Sequence, residues 1–182
     1  MAGRGTSRTS ESPITGLLSN QAFASFLGGP TPAGTTYLTG GLPAAGREIE
    51  AAQTRFSNNA RGLARMMEHW QRQNNAPLKS FQLERMSIEF LSSWPHSQRR
   101  FYYHDWMVRD FLAHVCSRSG GSIIMPGTSE VVSLGDEWTS KSLTALSNAI
   151  KACSAERLSE NTAAGEAWYE IFGPRWKSPS YK

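Results

Sequence analysis

The residues best placed to do chemistry lie around Pro77. The helix that carries Arg65 and His69 is expected to end before this proline, because the residue preceding a proline is pushed out of the helical region. The next helix then begins at Leu78-Lys79-Ser80-Phe81. A helix N-terminus presents unpaired backbone N–H groups and the positive end of the helix dipole, which suits a phosphate group. Lys79 and Arg65 could add positive charge, Ser80 a hydroxyl donor, and Phe81 a ring face on which a base can stack. The spacing alone fits two other roles equally well: Ser80 as a plain N-cap and Phe81 as a core residue.

Other chemistries find less support. His69, His96, His104 and His114 make no common zinc spacing, and helix packing or surface hydrogen bonding is expected of them. No G-x-S-x-G elbow and no phosphate-cradling G-x-x-x-x-G-K-[ST] loop occurs. Asp105 and Asp110 are five apart, so on a helix they do not stack, and they are expected to be solvated charges. Asp105 is also the first aspartate of the chain; only Asp110 and Asp136 follow.

Several helices must position these residues. Ile49, Ala52, Phe56, Ala60, Leu63, Met67 and Trp70 recur in steps of three and four, which predicts one amphipathic helix ending at Asn74-Asn75-Ala76-Pro77. A second helix fits Ser80 to Trp94 and stops at Pro95. A third fits roughly Arg99 to Arg118 and ends at Gly120-Gly121. Ile123-Ile124-Met125 and Val131-Val132 lean toward β structure around a Pro126-Gly127 turn, but are too short to anchor a sheet. A fourth helix opens after Gly135, with Asp136 as cap or first-turn carboxylate, and runs to Cys153. A last one covers about Thr162 to Phe172 and closes at Gly173-Pro174. The expected fold is all-α: a compact bundle of about five helices over residues 47–177, with a short tail at 178–182. Residues 1–46, rich in Gly, Ser, Thr, Pro and Ala, read as a flexible or diverged leader; its one apolar patch, Ala22 to Leu27, could dock as a helical turn or strand.

The totals restrict function further. Across 182 residues, 19 Lys+Arg stand against 15 Asp+Glu, a net charge of +4. This permits contact with nucleotide phosphates but lacks the dense basic stripe of a duplex-binding protein. Apolar residues make up 39% of the chain, with six Trp, eight Phe and five Tyr to fill a core. Cys116 and Cys153, far apart and without a C-x-x-C, read as free thiols in a reducing cytoplasm rather than as a disulfide framework. No apolar stretch reaches the ~18 residues of a membrane span, and no signal-peptide core follows Met1.

Leu78-Lys79-Ser80-Phe81-Gln82-Leu83-Glu84 resembles the "LKS-aromatic-His-Leu-Glu" signature of the cGAS/DncV-like nucleotidyltransferases, bacterial relatives of the oligoadenylate synthetases. Met67-Glu68-His69-Trp70-Gln71 stands where that family has a "leucine-lysine-tyrosine-tryptophan-asparagine" helix end. Leu134-Gly135-Asp136-Glu137-Trp138 through Ala152-Cys153 is similar to a later helix of the family. Ala167-Trp168-Tyr169-Glu170-Ile171-Phe172-Gly173-Pro174 resembles its closing "tryptophan-x-x-isoleucine-phenylalanine-glycine" motif. The likeness covers roughly Arg47 to Trp176. It departs from the pattern at Gln82, where the family has histidine, and at Arg65, where lysine is frequent.

The resemblance implies a C-terminal helical lobe that closes the nucleotide cleft of an N-terminal nucleotidyltransferase core. It implies that Arg65, Lys79 and Ser80 face nucleotide phosphates and that Phe81 stacks on a base. In a complete enzyme, Mg²⁺ held by three acidic residues and a Gly-Ser motif would align the nucleoside triphosphates, because phosphoryl transfer to a hydroxyl needs a divalent metal. Ahead of the helical part this chain offers only Glu11, Glu48 and Glu50. The expectation is therefore a lobe without catalytic or metal-ligating residues of its own. It would make no oligonucleotide alone and would take a nucleoside triphosphate and a catalytic-core polypeptide in trans as partners. Such enzymes make cyclic or linear oligonucleotide second messengers in antiviral defence. The alternative is a stand-alone, non-catalytic module that binds a protein or a nucleotide. A third class, a nucleic-acid binder using Arg99, Arg100, Arg109 and Arg118, is disfavoured because adjacent Arg99 and Arg100 cannot share one helix face with the others.

Overall fold

A computed structural model describes Phe23, residues 42–99 and residues 103–176. Apart from Phe23 and residues 42–46, the leader lies outside the described residues, as do residues 100–102 and 177–182. The fold is all-α, as the periodicity predicts: a compact helical bundle with one small hairpin. In chain order come α1 (Leu42–Arg55), α2 (Asn59–Gln73), α3 (Ser80–Ser93) and α4 (His104–Ser117). Strands β1 (Ser122–Ile124) and β2 (Val131–Ser133) follow, then α5 (Thr139–Arg157), α6 (Asn161–Phe172) and a 3₁₀ turn, Gly173–Arg175.

The expected first helix is in fact two. The apolar spacing runs unbroken through Phe56, but Ser57 and Asn58 take positive φ values of 52° and 71°, and the chain turns there. Asparagine tolerates the left-handed region better than most residues. Asn59, buried just past the break, donates from Nδ2 to the carbonyl oxygens of Ser97 (2.9 Å) and Arg99 (2.8 Å). These long-range bonds tie the start of α2 to the segment that follows α3. Periodicity cannot see such a break, because both helices turn apolar faces to the same core. Helix α1 also begins at Leu42, within the stretch read as leader.

A short loop joins α2 to α3, which pack together as a helical hairpin. Helices α4, α5 and α6 form the other half, with α6 also touching α2. Gly120, at φ 69°, ends the turn after α4, as the Gly-Gly pair predicts. The two β-leaning runs do pair, antiparallel, with Ile123 opposite Val132. Asp136 neither caps α5 nor sits in its first turn. Trp138 is the N-cap residue, and it is the Asp136 carbonyl that accepts the Thr139 N–H. The buried Trp138 indole fixes this turn by donating from Nε1 to Leu134 O at 2.8 Å.

Tryptophans and phenylalanines dominate the core. Trp70, Trp138, Trp168, Phe111 and Phe172 are fully buried. So is Phe23, from the Ala22–Leu27 patch. Its ring lies edge-on to Trp168 (centroids 5.0 Å apart) and Trp176 (4.8 Å), the geometry that aromatic quadrupoles favour. At least this one residue of the leader belongs to the folded body.

Candidate functional site

The N-terminus of α3 is built by a buried side chain. Gln82 is 4% exposed. Its Oε1 accepts the Lys79 backbone N–H (2.8 Å), and its Nε2 donates to Ser133 O on β2 (3.1 Å). One side chain thus closes the cap from the third helical position and fastens the helix start to the hairpin. The N–H groups of Gln82 and Leu83 both point to Lys79 O. Ser80 does not cap the helix; it is the first helical residue, and Lys79 holds the N-cap position. The Ser80 and Phe81 N–H groups are left as first-turn donors with no protein acceptor among the described residues.

Lys79 is exposed and Ser80 half-buried. The Lys79 ammonium lies 5.9 Å from the centre of the Phe81 ring, a cation–π arrangement. Phe81 is half-buried and leans on the core, so one part of the ring packs and another remains accessible. These three residues form one contiguous patch. Arg65 belongs to a different turn of the hairpin. It stands eight residues before the end of α2, roughly 12 Å along the axis at 1.5 Å per residue. There it shares a charged strip with Glu68, Glu84 and Arg72. Burial pushes the Glu68 carboxyl above its usual range, Glu84 pushes it further, and Arg72 and Arg65 pull it back.

A second cluster, among α4, α5 and α6, holds charge that the sequence reading misplaced. Asp105 is not a solvated carboxylate: it is 4% exposed and faces Glu156 of α5, which is 3% exposed. Burial first, then the charge and hydrogen bond of Glu156, raise the Asp105 carboxyl to about 8. The pair therefore retains a proton at neutral pH. Glu156 Oε1 also accepts the Trp168 indole N–H at 2.6 Å. Burial lowers neighbouring His104 to about 4, so it is neutral. Cys153 is buried and free, and burial followed by the two carboxylates pushes its thiol up. Such a thiol is inert. A signal for this pair was present: Glu156 extends the apolar series Ala149, Ala152, Cys153, and Asp105 extends Val108, Leu112, Val115. A carboxylate in a buried stripe needs a buried partner.

The remaining candidates have structural partners. His69 Nε2 donates to Phe172 O at 2.8 Å. Asp110 accepts from the Trp94 indole (3.0 Å) and from Arg109 Nε (2.8 Å). Arg99 lies over Tyr103, and Arg118 donates to Ser122 O. Among the described residues, no group of three or more His, Cys, Asp or Glu side chains is placed to hold a metal ion, and no helix is long and apolar enough to cross a membrane. No protein-family model, curated protein or solved structure matches this chain.

Proposed function

We propose that this chain is the helical, nucleotide-facing lobe of a nucleotidyltransferase of the cGAS/DncV-like kind, and that it does not catalyse alone. One observation carries the reading: the separate segments that resemble the family pack against one another. Gln82 ties the Leu78–Glu84 segment to Ser133, beside Leu134–Trp138. His69 and Asn74, at the end of α2, bond to Phe172 O and Ile171 O of the closing motif, the latter at 3.1 Å. Lys141 of α5 donates to the carbonyl oxygens of Asn74 (2.8 Å) and Asn75 (2.7 Å). The Gln82 departure is also chemically mild. An amide offers one acceptor and one donor group, as a neutral imidazole does, and both are used here.

In this reading the Lys79–Ser80–Phe81 patch meets the triphosphate and base, and Arg65 adds charge from about two turns further along α2. Metal and the reacting hydroxyl are brought by a catalytic core, in the cytoplasm, for synthesis of oligonucleotide messengers. No step passes through a metal on this chain's described residues. Titration of purified protein with each of the four nucleoside triphosphates and Mg²⁺, followed by calorimetry, tests it. Binding of at least one, weakened by Lys79→Ala, is expected, with no new product on chromatography. Absence of any binding would overturn the nucleotide-facing role, and product formation would overturn the non-catalytic one.

The second reading, a stand-alone module for a protein partner, has its own support. Leu143, Ile150 and Leu158 are 52%, 49% and 64% exposed and lie along one side of α5 and its C-cap. An apolar stripe of this kind is a contact surface in want of a cover.

A further inference from the structure

A second surface, away from the Lys79 patch, has the chemistry to bind a peptide. A cleft of about 580 Å³ lies between α1, α3 and the hairpin, within the size range of ligand sites. Ala52, Phe56, Ile88 and Ile123 supply apolar lining, and Arg55, Arg85 and Arg118 outnumber Glu48 and Glu89.

One wall is the outer edge of β1. Met125 N donates to Glu130 O, and Leu134 N donates to Gly121 O. With Ile123 opposite Val132, strict alternation of an antiparallel ladder turns the backbone groups of residues 121, 123 and 125 toward β2. Those of Ser122 and Ile124 therefore point outward, along the cleft. Ser122 O is already engaged by Arg118 Nη2 at 2.6 Å. Ser122 N–H and both backbone groups of Ile124 have no protein partner among the described residues. Ile124 is also 58% exposed, and natural proteins seldom leave such an edge uncovered.

The charges around this edge are poised for exchange. Arg85 pairs with Glu48, and Arg118 with Glu89 at 3.5 Å, all four side chains being only partly buried. Arg118 Nε is buried with no hydrogen-bond partner among the described residues. Arg55, on the rim, rests on the Phe56 ring and makes no ion pair with a described residue.

We infer that this cleft binds an extended, acidic segment of a partner protein, which adds to the outer edge of β1 as a third strand. Its backbone would satisfy Ser122 and Ile124, alternate side chains would enter the apolar lining, and its carboxylates would meet Arg55 and Arg118. Strand addition of this kind takes affinity from main-chain bonds and specificity from alternate side chains.

The test uses the full chain and the peptide acetyl-Val-Glu-Val-Glu-Val-amide, with its lysine counterpart acetyl-Val-Lys-Val-Lys-Val-amide. Amide hydrogen exchange read by NMR should show the acidic peptide protecting Ser122 and Ile124 while Ile123, already paired, changes little. The lysine peptide should do neither. Ile124→Pro removes an outward N–H that the β1–β2 ladder does not use, so the hairpin should persist while affinity falls about tenfold or more. Arg55→Glu should weaken binding and reduce its salt dependence. No protection at millimolar acidic peptide would overturn the proposal. Equal binding of the lysine peptide, or full affinity in Ile124→Pro with its hairpin amides intact, would do the same. A concentration-dependent dimer that protects the same two amides without peptide would assign the edge to a second copy of this chain and so also overturn it.

Discussion

Around α4, α5 and α6, Asp105 and Glu156 lie buried beside Trp168 with the Asp105 carboxyl pushed well up, whereas at the start of α3 Lys79 stands in solvent above a helix start with spare N–H donors. The most perturbed carboxyl among the described residues thus sits buried away from solvent, whereas the proposed phosphate-binding patch is built from ordinary exposed groups. Perturbed titration marks functional sites in a statistical sense only, since structural pairs perturb titration too. Accessibility separates the two regions, and each can be probed by asking whether a change costs stability or binding.

The largest effect is expected from Trp168→Ala. It empties a fully buried ring site against Phe23, Phe172 and Trp176 and removes the donor to Glu156. Urea denaturation should report a loss of about 3–5 kcal/mol. A loss under about 1 kcal/mol would show that this end is not the mechanical centre of the fold.

Next in size is a pH effect with a definite sign. Asp105 titrates near 3.8 in the unfolded chain and near 8 when folded. Its contribution to stability is complete below the unfolded value and is lost as pH rises through the folded one. His104 acts oppositely: its folded value near 4 lies below 6.5, so its contribution is present above 6.5 and lost as pH falls toward 4. The two oppose each other between about 4 and 6.5. From 6.5 to 8 only the Asp105 slope remains of the two, and the urea midpoint should fall as pH rises. Asp105→Asn should flatten that stretch. A midpoint that rises from 6.5 to 8 would contradict the raised Asp105 carboxyl.

The smallest expected effect completes the contrast. Lys79→Ala should leave the urea midpoint within about 0.5 kcal/mol of the parent, because Lys79 is exposed and its backbone, not its side chain, bonds to Gln82. A large destabilisation would make Lys79 structural and put the patch in the same category as the Asp105–Glu156 pair.

Much of the helical framework could be read in advance. Helix α3 begins at Ser80 and α6 ends at Phe172, where Pro77 and Gly173-Pro174 punctuate the chain. Punctuation is local, so it is legible. The break at Ser57–Asn58 is not, since it is stabilised by Asn59 reaching the carbonyls of Ser97 and Arg99, some forty residues on. The Asp105–Glu156 pair was half legible: both carboxylates fall in apolar stripes, but only packing reveals that the stripes face each other. Of the four predicted site residues, Lys79, Ser80 and Phe81 form one patch through their adjacency in sequence. Arg65 depends on helix packing and stands with Glu68.

The sequence by itself determined that the chain makes amphipathic helices with ends near Pro77, Pro95, Gly120 and Gly173, because helix period and turn chemistry act over a few residues. It also determined that Lys79, Ser80 and Phe81 share a helix start. The tertiary structure alone decided that Phe23 fills an aromatic cage, that Asp105 keeps a proton and that Gln82 holds the helix start against β2. It alone turned the outer edge of β1 toward three arginines. Each of these depends on which surfaces meet across long stretches of chain, a choice made by burial of area rather than by any local pattern.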